Sequence, residues 1–436
     1  MATWEISDAA HLLRRAGFGG STPEVVSLHA LGQEGAIASL LNYESIPDPA
    51  ESQSYQFGLD LTRVSSVMLW VLYRMFASTR PLQERLTWFW HGHFTSNFAG
   101  ALPALMVVQN ETWRRSASGD FRSFLKVMYK DPAMLVFLDN NENVKGAPNE
   151  NFAREVMELF TLGVGNYTET DIKEAARALT GWVVTRQNPN VGTFVSTRHD
   201  NGTKTILGQT GNFNGDQFMD ILASHAVTPR FVSTRLYQHF VRPTPAAGDI
   251  DTLVASWQSS GGSIKAVMNS LLHLDSFWAP ETRFALVKSP IEFVLGLAQR
   301  FQISPSGTAR QTLFRGLSAM GQEPLNPPDV AGYPKDLEWT GTSALLARYN
   351  TANQVLYARD SDAIVGLMTQ GLSNPSAQTL VDTLIERMGP LAPTAVTYQA
   401  LLDYAGSGFT GTAAQVATKT RGLLHLITSS PEYHLN

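Results

Sequence analysis

Apolar residues recur with the period of an α-helix along most of this chain, and that pattern limits its fold more than any other feature. The apolar windows lie at about residues 61–76, 81–93, 101–116, 121–129, 131–138, 216–222, 230–240, 250–257, 264–272, 290–301, 309–320, 343–356 and 376–388. Capping signals support the pattern, since Thr168-Glu169-Thr170-Asp171 resembles a capping box and Gly163 is typical of a helix end. The sequence therefore predicts a mainly α fold, a large helical bundle or array.

The segment 183–215 interrupts this helical pattern. It is rich in Gly, Asn and Thr, and it contains short alternating runs at 193–195 and 204–207. Alternation between turn residues is typical of short strands. We therefore predict a β or loop insertion at 183–215, with a small β-hairpin near residues 190–210.

A second irregular segment, 321–339, holds four prolines and two glycines. This composition predicts a loop, which either covers a site as a lid or fastens two helical layers together. The chain has no internal repeat and no low-complexity linker. We interpret residues 1–436 as a single mostly helical body, with a candidate subdomain boundary near residues 245–285.

Charge and hydropathy exclude several classes of protein. The net charge is −5, and charged residues make up 16% of the chain. A nucleic-acid-binding protein needs a basic surface to neutralise phosphates, so neither DNA nor RNA is an expected partner. No lysine or arginine run predicts a polybasic membrane patch. No apolar run reaches the roughly 18 residues that a membrane span needs.

The absence of cysteine from the sequence excludes disulfides, thiolate metal ligands and a cysteine nucleophile. The N-terminal residues lack a basic region followed by an apolar run, so they do not predict a signal peptide. We therefore expect a soluble protein that is cytoplasmic, or exported with its signal removed.

The stretch PNENFAREVMELF, residues 148–160, places several polar groups on one predicted helix. At about 100° per residue, Asn151, Glu155 and Glu158 lie within about 60° of one another. An ordinary amphipathic helix explains this arrangement, because its polar side faces solvent and its apolar side packs against the core. Two glutamates one turn apart repel each other, however, unless a cation lies between them. The alternative is that this helix forms one wall of a site, with Asp139 just ahead of it.

A histidine pair lies upstream, in Trp90-His91-Gly92-His93. A histidine beside tryptophan is most often a hydrogen-bonded core residue. Combined with the Glu155/Glu158 pair, His93 completes the ingredients of a His/carboxylate metal site for zinc, iron or manganese. The aromatic neighbours are equally compatible with stacking against a sugar ring.

At these residues the chain resembles the bacterial family called domain of unknown function 1800. The matching stretches are HLLRRAGFG at 11–19, FWHGHF at 89–94, the run from 138 to 182, HDNGTKTILGQTG from 199, VKSPIEF at 287–293 and MGQEPLNPPDVAGYPKDLEW from 320. They span nearly the whole chain in order. The family name carries no activity, so the resemblance implies none.

The chain departs from the family pattern at two positions. The family often has F-W-x-N-H-F and E-L-H-T-L-G, whereas here Gly92 takes the asparagine position and Phe160 takes the histidine position. His93 therefore matches the pattern. A metal scheme that relies on a histidine at position 160 fails for this chain, while the carboxylate helix is unaffected.

The leading hypothesis is a hydrolase that cleaves a polymer, with a glycan as the favoured substrate, by general acid/base catalysis. The candidate catalytic residues are Glu155, Glu158, Asp139 and His93. Glycoside cleavage needs carboxylates on opposite sides of the bond, so one glutamate would work with a partner elsewhere, such as Asp139. The candidate substrate-binding residues are Trp90, Asn151, Trp182, His199, Asp200 and Trp339.

Two alternatives remain open from the sequence. The first is a metal-dependent hydrolase or oxidoreductase, in which His93, Glu155 and Glu158 hold a divalent cation of iron, manganese or zinc. The second is a non-catalytic helical protein that binds a glycan or a partner. The sequence leaves the substrate, the metal and the oligomeric state open.

Several other charged residues have simpler interpretations. We predict internal ion pairs for Arg154 and Arg177, which could each hold a carboxylate through two hydrogen bonds. Lys288 and Glu292 are four residues apart, which predicts a structural pair on one helix face.

Overall fold

The predicted helical character is confirmed in a computed structural model of the chain, which describes residues 3–55, 58–185, 188–304, 309–358 and 361–436. These residues form 23 α-helices and two small β-sheets. The first nine helices are α1 (Ile6–Ala16), α2 (Thr22–His29), α3 (Gly32–Leu41), α4 (Ala50–Gln53), α5 (Val64–Ala77), α6 (Pro81–His93), α7 (Pro103–Ser116), α8 (Phe121–Met128) and α9 (Pro132–Phe137).

The helix that carries Glu155 and Glu158 is not a regular α-helix. It begins as α10 (Asn151–Glu155) and continues as a π-helix over Val156–Thr161. The wider turn is visible in its hydrogen bonds, since the amide of Leu162 donates to the carbonyl of Met157 at 2.8 Å. Gly163, with φ of 79°, then ends the helix. π-helices are rare and frequently occur at functional sites.

The predicted β insertion is confirmed as two short hairpins that follow α11 (Glu169–Leu179). Strands β1 (Trp182–Thr185) and β2 (Asn188–Phe194) form one antiparallel pair, and β3 (Lys204–Ile206) and β4 (Gln209–Gly211) form the other. The two alternating runs of the sequence overlap β2 and β3, and each of these strands pairs with another. Thr168 caps α11 as predicted, because its side chain accepts a hydrogen bond from the Asp171 amide.

The remaining helices are α12 (Gly215–Ser224), α13 (Thr228–Phe240), α14 (Asp249–Ser260), α15 (Ile264–Leu272), α16 (Asp275–Trp278), α17 (Pro290–Arg300), α18 (Ala309–Ala319), α19 (Thr342–Leu356), α20 (Asp362–Met368), α21 (Ala377–Arg387), α22 (Ala395–Gly406) and α23 (Ala413–Ser429). Among the described residues, none of these helices has both the length and the hydropathy that a membrane crossing requires.

The buried apolar side chains form two hydrophobic cores. The first joins α1–α3 to α8–α15, and the second joins α5 to α17 and the helices that follow it. Helix α6 contributes to both, with Trp90 in the first core and Trp88 in the second. The second core thus combines an early helix with the last third of the chain. The single body and the boundary near residues 245–285 stay predictions.

Candidate functional site

A cavity of about 320 Å³ lies where α6, α13 and the segment 322–339 meet, at the junction of the two cores. The start of α17 completes its wall through Ser289 and Glu292. A volume of this size is within the usual range of small-molecule sites, about 300–1,000 Å³. Four distant parts of the sequence therefore build one concave space.

The proline-bearing segment 322–339 forms one wall of this cavity. The ring of Tyr333 stacks on that of Trp88 at 5.3 Å and 26°, and the Tyr333 hydroxyl donates to the carbonyl of Glu323. Gly332 has φ of 99°, and a Cβ added there would lie 2.8 Å from the carbonyl oxygen of Gly92. The segment can lie this close to the end of α6 because position 332 has no side chain.

Three cationic side chains border the cavity: Arg85 from α6, Arg235 from α13 and Lys335 from the segment 322–339. Burial lowers the pKa of Arg235. Burial, followed by repulsion from Arg235, lowers the pKa of Lys335 to about 8. Neighbouring like charges disfavour each other's charged form, so an anion placed between them would be stabilised.

The two carboxylates at the cavity already have partners. Glu292 receives a charged hydrogen bond from Arg85 at 2.6 Å and another from the Ser289 amide at 2.6 Å. Burial alone raises the pKa of Glu292, but Arg85 and Ser289 outweigh it and hold this pKa below its usual value. Asp336 accepts from the Val287 amide at 3.1 Å. Arg85 keeps two buried nitrogens, Nε and Nη1, without a hydrogen-bond partner among the described residues.

Behind this wall lies a cluster of buried cations, which donate to backbone carbonyls. Its members are Arg14, Arg15, Lys288, Arg300 and Arg348. Burial lowers the pKa of Arg15 to about 9, and Arg85 contributes further because the two guanidinium groups repel each other. The buried cation cluster therefore adds positive potential to the side of the cavity where Arg85 lies.

Two histidines, His93 and His239, also border the cavity, and both are neutral near pH 7. Nε2 of His93 lies 2.9 Å from the Phe160 carbonyl, and because a carbonyl only accepts, that nitrogen carries the proton. Burial, and then Arg235, lower the pKa of His93 to about 3. Burial, and then Arg85, lower the pKa of His239 far below its usual value. Nε2 of His239 is buried and has no hydrogen-bond partner among the described residues.

The predicted catalytic carboxylates do not border this cavity. Glu155 and Glu158 are half-buried, and Glu158 accepts a hydrogen bond from the Tyr167 hydroxyl. Leu159, four residues after Glu155, is the residue of this helix that lines the cavity. Burial, followed by repulsion from Glu158, raises the pKa of Glu155. The pair therefore lies on the helix that flanks the cavity, with Glu155 about one turn before Leu159 and Glu158 directly before it, and neither lines the wall.

Asp139 and Asn151 belong to a network that orders the loop before α10. The Asn151 side chain donates to Asp139 at 3.1 Å. Asn143 accepts from the Asn149 amide at 3.0 Å and donates to the Ala176 carbonyl at 2.8 Å. These side chains thus bond the loop backbone and join the loop to α11.

The structure does not assemble the predicted metal site of His93, Glu155 and Glu158. Within the described residues, no group of three or more His, Asp or Glu side chains is arranged to hold a metal ion. The protonated Nε2 of His93 is directed at the Phe160 carbonyl, because the end of the π-helix leaves that carbonyl in need of a donor.

The predicted substrate-binding residues separate into different environments. Trp339 borders the cavity, and its role in binding stays a prediction. Trp90 is fully buried and donates to the Ala117 carbonyl at 2.8 Å, so it is a core residue rather than a surface for stacking. Trp182 packs edge-on against Tyr129 at 5.6 Å.

His199 and Asp200 are part of the structure of the hairpin insertion. His199 is buried, and its Nδ1 lies 2.9 Å from the Thr180 carbonyl. Asp200 pairs with Arg177 at 2.8 Å, and hydrogen bonding to Arg177 lowers the pKa of Asp200 to about 2. Neither residue borders the cavity described above.

The predicted ion pairs of Arg154 and Arg177 are confirmed. Arg154 binds Glu169 at 2.8 Å, and Arg177 binds both Glu174 and Asp200. The predicted pair of Lys288 and Glu292 is wrong.

Lys288 instead donates to the Tyr433 carbonyl at 2.6 Å, while Glu292 binds Arg85. The correct partners come from helices far away in the sequence, which a spacing of four residues does not indicate.

Sequence reasoning missed Arg85, Arg235, His239 and Lys335 as candidate site residues. One local signal was available, since Arg235 and His239 are four residues apart and therefore share a face of α13. The convergence of α13 with α6 and the segment 322–339 leaves no short motif in the sequence.

Comparison with other proteins defines the family and adds no activity. No curated protein and no solved structure matches the chain. A family model described as "Protein of unknown function (DUF1800)" matches residues 11–435, nearly the whole chain. The chain belongs to this family.

Proposed function

We propose that the protein binds a sugar-sized anionic molecule, with an acidic saccharide as the favoured ligand, in the cavity between α6 and α13. The observation that supports this proposal is that Arg85, Arg235 and Lys335 border the same 320 Å³ space as Trp88 and Trp339. Cations and aromatic rings together suit a ring that carries a negative charge.

The charge balance of the walls favours an anion over a cation or a neutral ligand. Arg85 neutralises the Glu292 carboxylate, which leaves Arg235 and Lys335 against the one carboxylate of Asp336. Neither of these two cations has a carboxylate within ion-pair distance among the described residues, since Asp336 bonds the Val287 amide. A carboxylate or phosphate between them would gain charge-assisted hydrogen bonds. A cation in the cavity would be repelled by the net positive charge of the walls and by the buried cation cluster.

The apolar part of the cavity favours a ring-shaped ligand. Trp88, Phe89 and Trp339 border it, and Leu159 and Val330 add aliphatic surface. Pockets of this kind bind mainly through apolar contacts and are oriented by a few polar groups. Here the exposed side chain of Gln238, which also borders the cavity, would bind a hydroxyl group.

Calorimetric titration with a uronic acid and with its neutral sugar counterpart tests this proposal. We expect the uronic acid to bind more tightly, and its affinity to fall as salt is added. Arg235→Gln should weaken that binding about 10–100-fold, because a hydrogen bond to a charged group contributes about 1.5–3 kcal/mol.

The control is Arg230→Gln on the same helix. Arg230 pairs with Asp251 at an exposed position outside the cavity, so its loss should leave the affinity unchanged. Equal binding of neutral and acidic sugars, or equal losses in the two variants, would overturn the proposal.

Hydrolysis is a second candidate function, and it is favoured by the state of Glu155. A carboxyl group whose pKa is raised by burial can act as a general acid. Glu155 has such a raised pKa and lies four residues before the cavity residue Leu159, on a helix with π geometry. The substrate would be an acidic polysaccharide whose charged sugar occupies the cavity.

Release of reducing ends from acidic polysaccharides measures this activity. Glu155→Gln keeps the shape of the side chain and removes its proton-donating group, so turnover should fall about 100-fold. Glu169→Gln, at an exposed position paired with Arg154, is the control and should keep its turnover. If Glu155→Gln cleaves as fast as the wild type, Glu155 is not the acid.

A further inference from the structure

We propose that the amine of Lys335 forms an imine with the aldehyde or ketone group of an anionic ligand in the cavity. This proposal rests on the proposed anion-binding function and names the reacting group of the ligand. A uronic acid belongs to this class, since its open-chain form carries both a carboxylate and an aldehyde. Short oxo acids belong to it as well.

The position of Lys335 gives a ligand access to its amine. The residue borders the cavity and is partly exposed, so its amine can be reached from solvent. Glu338, the nearby carboxylate, accepts a hydrogen bond from the backbone amide of Lys335 at 2.7 Å and forms no ion pair with the ammonium group. The side-chain nitrogen has no hydrogen-bond or ion-pair partner among the described residues.

Most of the nine lysines in the chain are held by other groups. Lys126, Lys130 and Lys265 form ion pairs with carboxylates. Three more donate to backbone carbonyls, namely Lys204, Lys288 and Lys419. Lys145 and Lys173 are exposed and do not border the cavity. Lys335 is thus the lysine that combines an unengaged amine with a place in the cavity wall.

The surroundings of Lys335 favour the neutral amine, which is the nucleophile. Partial burial, and then the charge of Arg235, lower its pKa to about 8. A lysine with a cationic neighbour in a partly desolvated site is an established way to activate an amine. Arg235 would serve twice, because the same guanidinium that lowers this pKa would hold the carboxylate of the ligand.

The chemical step balances without an oxidant or a reductant. The nitrogen lone pair attacks the carbonyl carbon, a C–N bond forms as the C=O π bond breaks toward oxygen, and a proton moves from nitrogen to that oxygen to give a carbinolamine. The hydroxyl group then leaves with a proton as water, and the C=N bond forms. Nothing beyond the amine and the carbonyl compound is consumed.

Reductive trapping of the folded protein tests the proposal. The protein is incubated with glyoxylate and sodium cyanoborohydride, which converts an imine into a stable secondary amine, and the modified peptides are identified by mass spectrometry. We expect the adduct at Lys335 to form at least about tenfold faster than the adduct at Lys173. Glyoxylate should also react there faster than the neutral aldehyde glycolaldehyde.

Three variants separate the contribution of the Lys335 amine from that of the Arg235 guanidinium. Lys335→Arg should abolish the main adduct, and Lys173→Arg should leave it unchanged. Arg235→Gln should slow the reaction with glyoxylate and remove its advantage over glycolaldehyde. Equal labelling of Lys335 and Lys173 by the wild type would overturn the proposal.

Failure of this proposal is distinguishable from failure of the proposed function. Uronic acid binding is measured separately, without reductant. Binding of the uronic acid without preferential labelling of Lys335 would overturn the imine proposal and leave the anion-site proposal. Absence of both binding and preferential labelling would overturn both proposals.

Discussion

Glu292→Ala is expected to lower the free energy of unfolding by about 3–5 kcal/mol, since removal of one partner strands a buried charge. Glu292 is 8% exposed and binds Arg85, which is itself 2% exposed. Arg15 and Lys288 lie in the buried cation cluster behind them. Without the carboxylate, these cations would repel one another with no compensating charge nearby. Urea unfolding followed by circular dichroism measures the change.

The effect of Glu292→Ala should depend on pH in a defined direction. The pKa of Glu292 is lowered in the folded protein. Its contribution to stability is therefore fully present above the pKa of the unfolded chain, about 4.3, and is lost as the pH falls through the folded pKa. The difference between the wild type and Glu292→Ala should accordingly narrow in acid.

Glu281→Ala is the control for this prediction. Its side chain is 62% exposed and lies 3.6 Å from Arg242, and such surface pairs contribute about 0–1 kcal/mol. Glu292→Gln removes the charge but keeps the shape of the side chain and one hydrogen-bond acceptor. It therefore provides the measurement of stability if the alanine variant does not fold. Similar losses for Glu281→Ala and for either Glu292 variant would contradict the assignment of a buried ion pair.

Trp90→Ala is expected to lower the free energy of unfolding by about 3–5 kcal/mol, the usual cost of removing a large buried ring. Trp90 is 0% exposed, stacks on Phe94 at 5.2 Å and meets Phe124 edge-on at 5.1 Å. Its indole nitrogen donates to the Ala117 carbonyl, which would lose its partner. The sugar-stacking hypothesis for Trp90 predicts the opposite, a loss of binding with stability unchanged.

Stability and binding are measured on the same Trp90 variants. Trp90→Phe retains most of the ring and should bind the uronic acid as the wild type does, with a smaller loss of stability. Tyr357→Ala removes an aromatic ring that is 56% exposed, and it should change stability by no more than about 0.5 kcal/mol. A fully stable Trp90→Ala that no longer binds ligand would show that the ring faces the ligand.

The fold was largely predictable because its signals are local. Apolar periodicity and caps such as Thr168 depend on residues within a few positions of each other, so the helices could be recognised without their neighbours. The π-helix at Val156–Thr161 was not predicted. An α-helix and a π-helix of this length have nearly the same apolar pattern, and the choice between them depends on packing.

The candidate site was predictable only in part. His93 and Trp339 were selected and border the cavity, and the segment 321–339 was predicted either to cover a site as a lid or to fasten two helical layers. Glu155 and Glu158 were selected for their local charge density, which indicates a site only when a concave surface lies beside it. Trp90 was selected for its residue type, yet burial decides whether an aromatic ring binds a ligand or fills a core.

The sequence by itself determined the helices, the β insertion, the family and the exclusion of cysteine chemistry, because each depends on neighbouring residues or on composition. The tertiary structure alone decided which charges meet. Arg85, Arg235, Glu292 and Lys335 come from four separate segments, and Coulomb interactions depend on distance in space and on burial rather than on separation along the chain. A cavity with positive walls in a chain of net charge −5 is therefore a property of the packing.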